Sequence, residues 1–174
     1  MVEVRFRPES DQPALTLATG EYRDLWEAEG DRIIEQLAAA TGLRFAETVI
    51  DAIVFEGMSR SHPLRLRASY DRETKLATLI HELAHRLIQG HAPPSVAPQA
   101  ADQQRQSHEL IDLFLFDVWA DLYGEAFAGR QVDIESQRRS VYRDAWQVTL
   151  ELDRASRATK LRSLLSTSTR TRSP

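Results

Sequence analysis

Residues Ala77-Thr78-Leu79-Ile80-His81-Glu82-Leu83-Ala84-His85-Arg86-Leu87 hold His-Glu-x-x-His inside a helix-forming run. No other segment of the chain specifies chemistry so directly. A helix advances about 100° per residue, so residues four apart lie one above the other on one face. His81 and His85 can therefore present two imidazole nitrogens to one cation, and Glu82, one step round from His81, flanks that pair. Two neutral imidazoles suit zinc, and the adjacent carboxylate suits a general base. Leu76, Leu79, Ile80, Leu83 and Leu87 fall on the side away from the histidines. This predicts a helix over about 72–89 with an apolar stripe toward a core and the His/Glu face toward an open cleft. Gly90 follows as a helix-ending residue.

The 174 residues suffice for one domain with a real core, expected over 1–166 with a disordered tail over 167–174. Hydrophobic residues at 42% and charged residues at 28% fit a globular protein. A formal net charge of −4 gives no global attraction to nucleic acid or anionic lipid. Neither a nucleic-acid nor a membrane partner is expected. No run approaches the roughly 18 apolar residues of a membrane span, and Met1-Val-Glu-Val-Arg-Phe-Arg7 lacks a signal-peptide layout, so a cytoplasmic location is expected. Cysteine is absent, so any metal must be held by His, Asp or Glu. A thiolate-free set beside a carboxylate is more often a catalytic zinc site than a structural one.

Outward from the central helix, Val2 to Arg7 alternates as a short strand, and Tyr22, Trp26, Ile33 and Leu37 predict an amphipathic helix over about 21–41. Residues 48–55 read as a buried strand and 64–69 as a half-exposed one, with arginines on one face. Residues 91–107, with three prolines, read as a long loop. A buried helix is expected over about 108–128 and a long final helix over about 133–165.

Two histidines do not complete a catalytic zinc site, which usually keeps three protein ligands and an open position. The third is expected at His108, with Asp112, four residues on, orienting a ligating imidazole from the second coordination shell. Glu109 and Asp112 compete as ligands in the same segment. His91, six residues after His85, fits an extended motif only without its glycine, because Ile88 stands there. Asp117 and Asp121 form a further pair, for which contacts with arginines are the alternative.

With these residues in place the chain resembles the zincin metallopeptidases, in particular small gluzincin-like domains. The resemblance covers roughly residues 21–128 and is carried by His81, Glu82 and His85, followed by a second helix bearing His108 and Asp112. It implies an α+β, zincin-like fold: about three strands packed on the His-Glu-x-x-His helix, then a mainly helical C-terminal half. It also implies a zinc metallopeptidase acting on a peptide or protein substrate, with Glu82 as general base toward a zinc-bound water. Two departures stand out: that group often has Glu where His108 stands, and usually an uncharged residue where Arg86 stands. Tyr123, Tyr70 and His91 are candidates to assist the oxyanion. The 64–69 strand is a candidate edge for an extended substrate, with its arginines favouring acidic peptides. Two other readings are a non-catalytic module of the same fold with structural zinc, and a zinc hydrolase of non-peptide amides.

Overall fold

The computed structural model describes residues 2–91 and 100–170. Contacts divide the chain into two compact units, Met1–Glu35 with Arg44–Gly90, and Gln36–Leu43 with His91–Pro174. The class is α+β: a small three-stranded sheet and a mainly helical C-terminal half.

The first unit holds β1 (Glu3–Pro8), most of α1 (Pro13–Thr41), β2 (Val49–Phe55), β3 (Leu64–Arg67) and α2 (Arg72–Gln89). The strands lie in the order β1-β2-β3, all parallel, with Glu3 opposite Val49 and Ala52 opposite Leu64. Their alternation turns Val4, Phe6, Ile50, Ala52, Val54, Leu64 and Leu66 inward. The other face carries ion pairs, Arg5 with Glu3 at 2.8 Å and Arg67 with Glu56 at 2.7 Å. α1 begins about eight residues before the expected start at 21. Leu15, Ala18, Thr19, Tyr22 and Leu25 continue its buried stripe toward the N-terminus, and Pro13 occupies the first helical position, where its missing N–H costs nothing.

The edge of β3 is not available to a peptide. Arg65 exchanges both backbone hydrogen bonds with Arg60, at 2.9 and 3.0 Å. The Arg67 N–H donates to Ser59 Oγ at 3.0 Å, and its carbonyl accepts from the Tyr22 hydroxyl at 2.9 Å. The loop before β3 thus folds back and satisfies the groups a substrate strand would need. The arginines are engaged too: Arg65 with Glu9 and over the Phe55 ring, Arg67 with Glu56 and Ser69. Neither strand addition nor a preference for acidic peptides follows from this strand.

The second unit contains α3 (Ala100–Tyr123), α4 (Glu125–Arg138), α5 (Ser140–Leu150) and α6 (Arg154–Arg170). Its core is built from Ile111, Leu115, Val118 and Trp119 of α3, Ala128 of α4, Ala145 and Trp146 of α5, and Leu161 of α6. Trp119 and Trp146 meet with ring centroids 5.8 Å apart. Three expectations are corrected here. Residues 100–107, read as loop, form the first turns of α3; of the expected loop, 92–99 lie outside the described residues. The buried helix stops at Tyr123, because Gly124 takes φ 90°, a left-handed value that glycine tolerates and that ends the helical hydrogen-bond run. The single final helix is three: Arg139 is extended (φ −154°, ψ 149°), and Asp153 opens α6 by accepting from Ser156 N–H at 2.7 Å. Helix α6 runs through Arg170, so residues 167–170 of the expected tail are helical and 171–174 lie outside the described residues. Among the described residues no helix is long and apolar enough to cross a membrane.

Candidate metal centre

α2 spans Arg72–Gln89, as the sequence predicts, and its first turn is fixed by Asp71. The Asp71 carboxylate accepts from the Thr74 N–H and the Thr74 hydroxyl, both at 2.9 Å. The backbone N–H of Thr74, chiefly, holds the Asp71 carboxyl below its ordinary value. We expect Asp71→Ala to lower stability by about 1 kcal/mol in urea unfolding. An unchanged midpoint would mean that the cap does not hold this helix. At the other end Gly90 is right-handed (φ −61°), so its left-handed freedom is not used.

The expected open His/Glu face is a correction. Every residue from Thr74 to Ile88 is buried, with His81 6%, Glu82 7% and His85 7% exposed. Burial extends right round the helix, and its polar groups are therefore held inside. Lys75 pairs with Glu21 and lies 5.7 Å from the centre of the Tyr22 ring. Arg86, whose charge departs from the resembled group, forks onto Glu47 through Nε and Nη2 and donates from Nη1 to the Ser61 carbonyl. A buried guanidinium is tolerated here because its donors meet a carboxylate and a carbonyl.

The His81 and His85 rings stand 4.9 Å apart between centroids, tilted by 59°. On α3, His108 is buried and its ring lies 4.3 Å from that of Tyr142. His81, His85 and His108 each offer a nitrogen, and these donor atoms all lie within 4.8 Å of one another. Three buried histidines this close together can hold a metal ion. Their chemistry fits one: burial, then His81 and His62, push the His85 imidazole well below its ordinary value. It is therefore neutral at pH 7, the form that ligates.

The other candidate ligands are accounted for differently. Glu109 lies toward Arg105, at 3.8 Å, and keeps a substantially exposed side chain. Asp117 pairs with the buried Arg157 at 2.6 Å. Asp121 receives a forked bond from Arg154 and one from Gln36. The alternative reading of these two acids as arginine partners is the one the structure bears out, through Arg157 and Arg154. His91 is not in the three-histidine cluster. Tyr70 lies under the Arg67 guanidinium and Tyr123 packs on Phe127.

Asp112 is 0% exposed, and among the described residues neither of its oxygens has a hydrogen-bond partner. Burial, then Glu135 and Glu109, push its carboxyl well above the ordinary value. Glu135 itself accepts from Trp146 Nε1–H at 3.0 Å. Sequence reasoning passed over Glu135; nothing in its local pattern sets it apart from the exposed acids of α4. His62 was also passed over, and it lies near enough to His85 to weaken its protonation.

Compared with protein-family models, with curated proteins and with solved structures, the chain gives no match in any of the three.

Proposed function

We propose that the chain is a zinc-dependent peptidase in which His81, His85 and His108 hold the ion and Glu82 is the general base. The observation that carries this reading is the buried three-histidine cluster with a carboxylate at the position next to His81. Three neutral nitrogen donors with no thiolate suit zinc and leave a fourth position open. When bound there, zinc supplies Lewis acidity toward water and toward a substrate carbonyl. Glu82 takes the proton from the water as its oxygen bonds to the carbonyl carbon, and returns it to the amine nitrogen as the C–N bond breaks. Asp112 is assigned the orienting role toward a ligating imidazole, which would give its unpartnered carboxylate a hydrogen bond. The resemblance to gluzincin-like domains supports the same assignment through the motif and the order of the two helices.

One observation favours a second reading, a zinc-stabilised module without catalysis: the Glu82 face is buried, where a substrate needs access. A single experiment separates them. The zinc-loaded protein is incubated with a mixture of unstructured peptides, with and without chelator, beside His108→Ala and His91→Ala. Metal-dependent cleavage by the wild type and His91→Ala, lost together with zinc in His108→Ala, is expected. Full zinc occupancy without cleavage would leave the structural reading. Zinc retained at wild-type affinity in His108→Ala would remove this ligand set.

A further inference from the structure

Helix α3 turns one face toward α5. His108 and Trp119 are eleven residues apart, so after three helical turns they fall within about 20° of each other. Each meets a ring of α5: His108 that of Tyr142, at 4.3 Å between centroids and tilted by 58°, and Trp119 that of Trp146, at 5.8 Å. Tyr142 and Trp146 are themselves four apart and share one face of α5. Trp146 is buried with its neighbour Ala145, and its Nε1–H donates to Glu135 of α4 at 3.0 Å. One turn beyond Tyr142, α5 is thus tied to both α3 and α4. The tyrosine ring stands on a fixed support.

His108 is buried, and its rotamer places a ring nitrogen within 4.8 Å of those of His81 and His85. Rotation about either side-chain torsion would carry that nitrogen out of the cluster. His81 and His85 lie against each other on α2, with ring centroids 4.9 Å apart, whereas His108 comes from another helix and meets the ring of Tyr142. The kind of contact matters. A hydrogen-bonding group that orients an imidazole occupies one of its two nitrogens. An aromatic ring packed at a tilt across it restrains both torsions and uses neither nitrogen. One nitrogen can then serve an ion while the other serves an acceptor such as Asp112.

We propose that Tyr142 is a positioning residue of the metal centre, whose ring holds the His108 imidazole in the rotamer that ligates. The ring and not the hydroxyl carries this role, and it acts before the ion arrives, by removing freedom that ligation would otherwise have to remove. The proposal rests on the assignment of His81, His85 and His108 as metal ligands, but not on peptide cleavage.

The test uses the full chain as wild type, Tyr142→Phe and Tyr142→Ala. Zinc affinity is measured against a competing chelator, at a temperature where the metal-free proteins are folded. The histidine ring signals of the metal-free proteins are read by NMR after ¹⁵N-histidine labelling. Tyr142→Ala should bind zinc about 3–10-fold more weakly and Tyr142→Phe within about twofold of wild type, the span expected for one aromatic contact. The His108 ring protons should keep the same ring-current displacement in wild type and Tyr142→Phe and lose it in Tyr142→Ala, with the His81 and His85 signals unmoved. A change in fold stability alone would not single out His108 in this way. Equal zinc affinity in wild type and Tyr142→Ala overturns the proposal, as does a Tyr142→Phe variant as weak as Tyr142→Ala. Loss of the metal-free fold in Tyr142→Ala makes the residue a structural one and also overturns it. If the wild type cleaves peptides while Tyr142→Ala keeps full zinc affinity, this inference falls and the peptidase reading stands. If the affinity pattern is found and the zinc-loaded protein cleaves no peptide, the peptidase reading falls and the role of Tyr142 stands.

Discussion

Zinc-loaded Glu82→Gln is expected to bind the metal as the wild type does and to lose peptide cleavage by roughly 10²–10⁴-fold in kcat/KM, the range general acid–base catalysis contributes. That loss corresponds to about 2.7–5.5 kcal/mol in the barrier. Glutamine has nearly the shape of glutamate and keeps a carbonyl acceptor, but it cannot take up the proton of an attacking water. Glu82 neighbours His81 in sequence and does not share the His81/His85 stripe, so its loss should leave the imidazoles in place. Zinc affinity and thermal unfolding measured beside the rates separate chemistry from folding. Cleavage unchanged in the variant would end the general-base assignment. Cleavage lost together with zinc would instead make Glu82 a ligand or a structural acid.

The parts of this protein that the sequence makes legible are those where one local rule acts alone. α2 is bounded by a capping aspartate and a glycine, and its period is unbroken, so its limits are found to the residue. The strands declare themselves by alternation and β-branching. His108 could be singled out because it opens an apolar run one segment after a pair that lacks a ligand. What fails is read through competition between rules. Proline and small polar residues suggest loop throughout 91–107, yet Ala100 to Ser107 are adequate helix formers and continue into α3. Val141, Ala145 and Val148 keep helical spacing, but all three lie within α5, so their pattern says nothing of the breaks at Arg139 and Asp153 that flank it. Only Gly124 and Asp153 carried a readable signal for these stops.

Burial is the larger gap. Periodicity divides α2 into an apolar and a polar side and assigns the polar side to solvent, but burial of both sides is decided by other segments. The charge at Arg86 is unintelligible from the motif alone. Its partners, Glu47 and the Ser61 carbonyl, are 39 and 25 residues away in sequence.

Two buried groups of opposite chemistry contribute opposing slopes to the pH dependence of the metal-free protein. The His85 imidazole is depressed in the folded state, so between its folded value and the unfolded value near 6.5 the unfolded chain binds the extra proton. Stability from His85 is therefore present above about pH 6.5 and falls as pH drops below it. Asp112 has the reverse sign. Its carboxyl is raised by burial, so from the unfolded value near 3.9 upward the folded state binds the extra proton, and stability falls as pH rises toward the folded value. Each single proton changes stability by up to about 1.4 kcal/mol per pH unit within its window. Where the windows overlap the two slopes oppose each other, and the wild type should show a shallow profile there.

Asp112→Asn removes one of the two. Asparagine cannot ionise, so the metal-free variant should lose the component that weakens with rising pH and expose the His85 slope, becoming less stable on acidification below about pH 6.5. At neutral pH it should be more stable than wild type, because a fully buried carboxyl without a hydrogen-bond partner among the described residues has been replaced by a neutral amide. Zinc affinity should move the other way, down by about 10–100-fold, the usual consequence of losing a carboxylate behind a ligating histidine. Urea unfolding of the metal-free proteins from pH 4.5 to 8, with zinc titration against a competing chelator, measures both. A gain in metal-free stability coupled to a loss of zinc affinity identifies a carboxylate kept for the metal at the expense of the fold. Unchanged zinc affinity would instead leave Asp112 as a buried acid with no part in the metal centre.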